Sequence, residues 1–221
     1  MKNEKERKMS AEAALIEGLR ALSIKPSETV VTQFMTYLKE LKKWSDVHNL
    51  TAIKEDSDIV TKHFLDSLLF LKGIPDEAKT LLDVGSGAGF PGIPIKIVCP
   101  ELEVTLMEPR KKRAVFLRHM IHLLKLTNTD VYEGRLEDMK IADKISPFDC
   151  IVIRAALSFS DFTRLALPLI GTDSVLVIGK GKGYESEIQN SDSYKIDIIH
   201  SKIPLTDTDR FVLLIKSTNT M

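Results

Sequence analysis

The sequence predicts an α/β fold: a mainly parallel, seven-stranded sheet with helices on both faces, preceded by an N-terminal helical extension. Three observations carry that prediction. Apolar residues recur at helical spacing through about the first 75 residues, and from Thr80 short apolar runs alternate with helix-like stretches. The last two runs then follow each other with no helix between them. A chain of 221 residues suits one domain with an appendage, and the change of pattern divides it into an extension over 1–75 and a sheet domain over 76–221.

In the extension, Val30, Phe34, Tyr37, Leu38 and Leu41 form a helical stripe behind Pro26, a residue suited to a first helical turn. Ile59, Val60, Phe64, Leu65, Leu68 and Leu69 repeat the pattern behind Asp56 and Ser57, either of which suits an N-cap. Both stripes read as core packing. The strands of the sheet are expected at Leu81–Val84, Val104–Met107, Thr129–Tyr132, Cys150–Ile153 and Val175–Ile178, with helices near Pro91–Val98, Arg110–Leu124 and Phe159–Leu169. Tyr194–His200 and Phe211–Ile215 are expected to pair antiparallel and close one sheet edge.

Composition excludes several classes. With 43% hydrophobic and 28% charged residues the chain can bury a core. Thirty-one Lys+Arg balance thirty-one Asp+Glu, so a polyanion must be held by local patches. Two cysteines in apolar contexts, Cys99 and Cys150, make neither a disulfide scaffold nor a cysteine zinc site and fit a reducing compartment. No apolar run reaches the roughly 18–20 residues of a membrane span, and the charged start MKNEKERKMS has no signal-peptide core. The expectation is a soluble, cytoplasmic monomer with no membrane partner and no metal.

The strongest local signal is the run Leu81-Leu82-Asp83-Val84-Gly85-Ser86-Gly87-Ala88-Gly89-Phe90-Pro91-Gly92. A strand ends in a glycine-rich turn and a helix begins near Pro91. Glycines there allow positive φ and close approach of backbone to a ligand, at the sheet edge where α/β folds bind ligands. Gly87-x-Gly89-x-x-Gly92 matches the dinucleotide fingerprint letter for letter. Two features oppose a nicotinamide oxidoreductase. Asp83 puts a carboxylate before the loop, where it repels a pyrophosphate and suits a cationic or amino-acid ligand, and Pro91 removes an N–H donor from the turn. Glu108 ends the second strand 25 residues after Asp83, where an acid can accept both ribose hydroxyls. Asp83, the loop glycines and Glu108 together resemble the S-adenosylmethionine site of the class I, seven-stranded Rossmann-like methyltransferases, and a terminal antiparallel pair suits the same fold.

A narrower resemblance follows from the string DVGSGAGFPGIP, with Pro91, Gly92 and Pro94 after the glycines. Trp44 with Asn49-Leu50-Thr51-Ala52, His63-x-x-Asp66-Ser67-Leu68, Lys112-Arg113 with Phe116-Leu117, and Gly134-Arg135-Leu136-Glu137 come next in order. Arg154-Ala155, Lys180-Gly181, and Arg210 with Lys216 complete the series. From about Trp44 to the C-terminus the chain resembles the small-subunit ribosomal RNA methyltransferase G family, also called glucose-inhibited division protein B. Two positions depart from the family pattern: Ser45 stands in place of Asn, and Ile153 in place of Ser before Arg154.

The resemblance implies transfer of a methyl group from S-adenosylmethionine to guanine N7 in the 530 loop of 16S rRNA, on naked RNA or a small-subunit assembly intermediate. The alternative is a methyltransferase of the same cofactor with another RNA or small-molecule acceptor. Guanine N7 is an unprotonated nucleophile near neutral pH, so alignment and exclusion of water suffice, and no general base is expected. By the same resemblance Gly85, Ser86, Gly87, Gly89 and Phe90 hold the methionine part of the donor, Glu108 the ribose, and Leu136 and Glu137 the adenine. Glu137 has an alternative role as the cap of its own turn. Arg154, ending the fourth strand, faces cofactor and guanine as a positioning residue. Lys180, Lys182 and Arg210 are expected to form an RNA patch on the same edge. The run Arg110-Lys111-Lys112-Arg113 opposes the macrodipole of its helix and is either a phosphate contact or a solvated face. His63 and Asp66, on one helix face, are expected to bond each other and dock the extension on the sheet.

Overall fold

The computed structural model describes residues 9–139, 148–154, 156–188 and 194–218. The charged first eight residues, and Ala155 of the expected Arg154-Ala155 strand end, lie outside the described residues. Helix α1 (Ala11–Ala21) is capped by Ser10, whose Oγ accepts from Ala13 N–H, and α2 (Glu28–His48) by Ser27, whose Oγ accepts from Val30 N–H. Pro26 therefore precedes the cap and is not part of the first turn. The reason is that a proline offers no side-chain oxygen to the orphan amides, whereas Ser27 does. Asn49 ends α2 in the left-handed conformation.

A third helical stretch runs without break through α3 (Asp56–Ile59), a π-helical segment (Val60–Leu65), α4 (Asp66–Leu68) and a 3-10 turn (Leu69–Gly73). Its cap position is Glu55, so neither Asp56 nor Ser57 caps it; Asp56 instead pairs with Lys42 of α2.

Seven strands form one sheet: β1 (Thr80–Val84), β2 (Glu103–Met107), β3 (Thr129–Tyr132), β4 (Phe148–Arg154), β5 (Ile170–Lys180), β6 (Tyr194–Lys202) and β7 (Asp209–Ser217). Their spatial order is β3-β2-β1-β4-β5-β7-β6; β1 to β5 run parallel, and β7 lies antiparallel between β5 and β6. The expected closing pair is present, with the last strand inserted inside the penultimate one. Helices α5 (Gly92–Val98) and α6 (Lys111–Leu123) connect the first strands, and α7 (Phe159–Ala166) precedes β5. After Ala166 the expected helix tightens into a 3-10 turn over Leu167–Leu169, where Pro168 supplies no amide for an α-helical bond.

The pleat sends alternate residues to two cores. Leu81, Val104, Val152 and Val177 meet Leu15, Phe34, Tyr37, Phe64 and Phe70, so the extension shares one core with the sheet. Leu82, Ile151, Ile153 and Leu176 meet Phe159 and Phe162 of α7 on the other face. Each fully buried Leu or Phe contributes about 1.5–3 kcal/mol. The departure at Ile153 thus faces apolar packing. Ser45, the other departure, is buried and holds the Thr51 backbone at both its N–H and its carbonyl.

Candidate functional site

The carboxyl ends of β1 and β2 build the site. Gly85, Gly87 and Gly89 have φ of 69°, 60° and 98°, the region that L side chains avoid. Ser86 N–H donates to the Met107 carbonyl, its hydroxyl to the Asp83 carbonyl, and its own carbonyl accepts from Gly89 and Phe90. These four bonds set the shape of the turn. A Cβ at Gly89 would stand 2.7 Å from the Tyr37 hydroxyl and 2.5 Å from Ile93 Cδ1. At Gly87 it would stand 3.6 Å from Arg113 Nη1, on the cavity wall.

Glu108 follows β2 and is buried. Its Oε2 accepts from Gly87 N–H at 2.9 Å and its Oε1 from Arg110 N–H at 2.8 Å, with Arg113 Nη1 4.0 Å away. Asp83 lies differently from the expectation that its carboxylate faces the loop's ligand side. It is fully buried, Oδ2 accepts from Gly92 N–H at 2.9 Å, and it lines neither cavity described below. Burial pushes its pKa up to about 7 against the lowering effect of the Gly92 bond.

The extension supplies the other wall. The Tyr37 hydroxyl donates to the Ala88 carbonyl, and burial raises its pKa well above the ordinary value. Phe90 is stacked between Tyr37, at 5.5 Å between ring centres, and His63, at 4.6 Å. The Arg154 guanidinium carbon lies 4.9 Å from the centre of the Phe90 ring. Arg154 donates from Nη1 to Asp66 Oδ2 at 3.2 Å and meets His63 Nδ1 through Nη2 at 3.3 Å. His63 Nε2 lies 2.8 Å from Thr51 Oγ1. Burial, then the Arg154 charge, lowers the His63 pKa to about 3, so the ring is neutral. His63 and Asp66 thus do not bond each other as expected; both are held by Arg154, which lies between them.

These residues surround a cavity of about 420 Å³ lined by Gly85 to Ala88 and Phe90 of the loop, by Glu108, Arg110, Arg113 and Arg154 and, from the extension, by Leu50 and His63. A slot of about 180 Å³ adjoins it across the shared residues Gly85, Pro109 and Ala156, and is lined by Leu136 and Glu137. Arg135 N–H is capped by Asp138, so the alternative role of Glu137 as cap falls to its neighbour. Of the expected residues, Gly85, Ser86, Gly87, Phe90, Glu108, Leu136, Glu137 and Arg154 come together at these two cavities, whereas Gly89 lines neither and faces Tyr37 and Ile93.

Lys180 and Arg210 do not form the free basic patch expected of them. Lys180 is paired with Glu187 at 2.5 Å, Lys182 with Asp209 at 2.9 Å, and Arg210 is bidentate to Asp66 at 2.6 and 2.9 Å. Each of these cations is paired with an acid, and Arg210 shares its acid with Arg154. By contrast Arg110, which lines the larger cavity, and Lys111 and Lys112, which follow it at the start of α6, are all exposed. Sequence reasoning missed Leu50, Pro109 and Ala156 as lining residues. Leu50 had a signal in the Asn49-Leu50-Thr51-Ala52 segment, whereas Pro109 and Ala156 had none.

With that geometry in hand, relatives are informative. A family model described as rRNA small subunit methyltransferase G matches residues 30–210. The chain is 35% identical to ribosomal RNA small subunit methyltransferase G of Acetivibrio thermocellus, covering 96% of this chain and 90% of that protein. It is 37% identical to the protein of the same name in Pelotomaculum thermopropionicum, covering 90% and 87%. The fold resembles the crystal structure of an O-methyltransferase from Bacillus cereus in complex with SAH, with a TM-score of 0.57, 18% identity, and 82% and 91% of the two chains covered.

Proposed function

The chain belongs to the rRNA small subunit methyltransferase G family, and from that premise we propose that it methylates N7 of a guanine in the 530 loop of 16S rRNA, with S-adenosylmethionine as donor. The observation that carries the donor site is the meeting of a glycine cradle, a buried carboxylate and an apolar slot in two adjoining cavities. That set suits a ligand with a charged amino-acid end, vicinal hydroxyls and a flat ring. Gly85 to Phe90 would hold the amino-acid end, Glu108 the ribose, and Leu136 with Glu137 the adenine. Asp83 acts from beneath, by fixing the start of α5 to β1. When bound, the donor supplies a methyl group on a sulfonium, which leaves without needing a proton.

The chain's own task is to orient and to exclude water. Arg154 is held at the wall of the larger cavity over Phe90, where it would orient the incoming guanine. Water exclusion falls to Leu50 and Phe90, both buried and both on that wall. The neutral His63 is not needed as a base, because N7 carries a free lone pair. RNA phosphate is met by Arg110, Lys111 and Lys112, whose charges oppose the α6 dipole and so do not serve the helix. No helix among the described residues is long and apolar enough to cross a membrane. We infer that it acts as a monomer in the cytoplasm, where small subunits are assembled.

The test is transfer of a labelled methyl group from S-adenosylmethionine to small subunits and naked 16S rRNA from cells lacking the gene, with chemical cleavage at 7-methylguanosine. One N7-methylated guanine in the 530 loop is expected. Label on a ring N1, an exocyclic amine or a different RNA would overturn the acceptor. As a donor-side check, Glu108→Ala should weaken S-adenosylhomocysteine binding by about 1.5–3 kcal/mol, the range for hydrogen bonds involving a charged group. Unchanged affinity in calorimetry would remove Glu108 from the ribose.

A further inference from the structure

Asp66 opens α4, directly after the π-helical segment of the extension, and its side chain is 2% exposed. One carboxylate there accepts from two guanidiniums. Arg210 approaches with Nε at 2.6 Å and Nη2 at 2.9 Å, and Arg154 with Nη1 at 3.2 Å. The two arginines come from strands that are not neighbours. Arg154 of β4 is in register with Gly179 of β5, which is in register with Val212 of β7. Asp66 therefore bridges across β5 from above the sheet.

The charges make this bridge decisive. Two cations share one anion, and the fourth member of the group, His63, is neutral. Without the carboxylate the guanidiniums would repel each other in a partly buried space, and breaking a buried pair by removing one partner leaves an uncompensated buried charge. Both arginines are carried by strands, β4 and β7, but of the two only Arg154 lines the larger cavity. A shift of Arg154 is thus the one that would reach the site.

We propose that Asp66 is a positioning residue for methyl transfer: its carboxylate holds the Arg154 guanidinium against Phe90 at the cavity wall, so that the acceptor side of the site is assembled only with the extension docked. The inference rests on the role given to Arg154 above and assigns the extension a part in the reaction besides packing.

The experiment is a double-mutant cycle of Asp66→Asn and Arg154→Gln, read by single-turnover transfer to 16S rRNA at saturating donor and RNA. Calorimetry with S-adenosylhomocysteine and thermal unfolding are run on each variant. Asp66→Asn is expected to slow transfer about 100-fold with donor affinity within twofold of wild type, and the double variant to be no slower than Arg154→Gln alone. Effects that multiply, or a rate that falls only with the folded fraction, would overturn the proposal. Asp66→Glu covers the case in which the amide variant does not fold. It keeps the charge but displaces it by one methylene, and is expected to slow transfer about tenfold with unchanged donor affinity; a wild-type rate would overturn the idea. Wild-type enzyme without N7 transfer removes the functional reading instead, so the two failures are distinct.

Discussion

Asp83 carries an unusual load for one side chain. Its Oδ2 ties the Gly92 amide to β1, while Oδ1 is buried and finds no hydrogen-bond partner among the described residues. A carboxylate in that position keeps its charge at a desolvation cost, which is why its pKa rises from 3.8 to about 7. The folded state therefore binds the proton more tightly than the unfolded state. The resulting stabilisation is full below about pH 4, declines as pH rises, and is gone above about pH 7. His63 acts in the opposite sense below about pH 6.5, since its folded pKa is depressed. Comparing Asp83→Asn with wild type cancels that background. The change in unfolding free energy between pH 5 and pH 8 should be about 2–3 kcal/mol less favourable in wild type than in the variant, measured by denaturant titration at both pH values. Equal pH dependence of the two proteins would mean that Asp83 titrates normally.

Among the elements, α2 and the glycine loop are the coupled pair. Tyr37 sits midway along α2, stacks on Phe64 and Phe90, and gives its hydroxyl to the Ala88 carbonyl. Tyr37→Phe keeps the rings and leaves that carbonyl unsatisfied, at a cost of about 1–3 kcal/mol. Because the carbonyl belongs to the donor loop, S-adenosylhomocysteine affinity should fall about five- to tenfold along with stability. Stability lost without any change in affinity would mean that the loop holds its shape unaided. The stripe Val30, Phe34, Tyr37, Leu38 and Leu41 revealed a core face from periodicity alone, but periodicity treats Tyr37 as one more ring. Its hydroxyl bond spans 51 residues, a separation on which local pattern is silent. The strands were legible for the opposite reason, since apolar runs such as Cys150–Ile153 are fixed by burial on both faces. The first part of β5, Ile170–Ser174, was not, because its glycine and polar residues carry no strand signal. The pairing of Arg210 with Asp66 was likewise unreadable, since 144 residues separate them.

At the scale of the whole molecule, net charge is zero, so RNA affinity must come from local patches, and the function proposed above gives that part to Arg110, Lys111 and Lys112. Lys111→Ala combined with Lys112→Ala should lower the slope of log affinity against log salt by about 1–2, at roughly 0.7–0.9 per phosphate contact. Lys180→Ala should lower it less, since Glu187 already neutralises that charge. A filter-binding series in which only Lys180 matters would move the RNA path to the β5–β7 edge. The chemical step should be insensitive to this surface and, more tellingly, to pH. The histidine on the cavity wall, His63, stays neutral with a pKa of about 3, and Asp83, which titrates near 7, lines neither cavity. Ionisation of Asp83 can loosen the loop and so weaken donor binding, but saturating donor removes that effect from the rate. Between about pH 6.5 and 8.5 the single-turnover rate at saturating donor should therefore vary no more than about threefold, as an attack by an unprotonated ring nitrogen requires. A rate that climbs tenfold per pH unit would mean that the nucleophile must first lose a proton. Guanine N7 has none to lose, so that result would leave a methyltransferase of this family acting on a different atom.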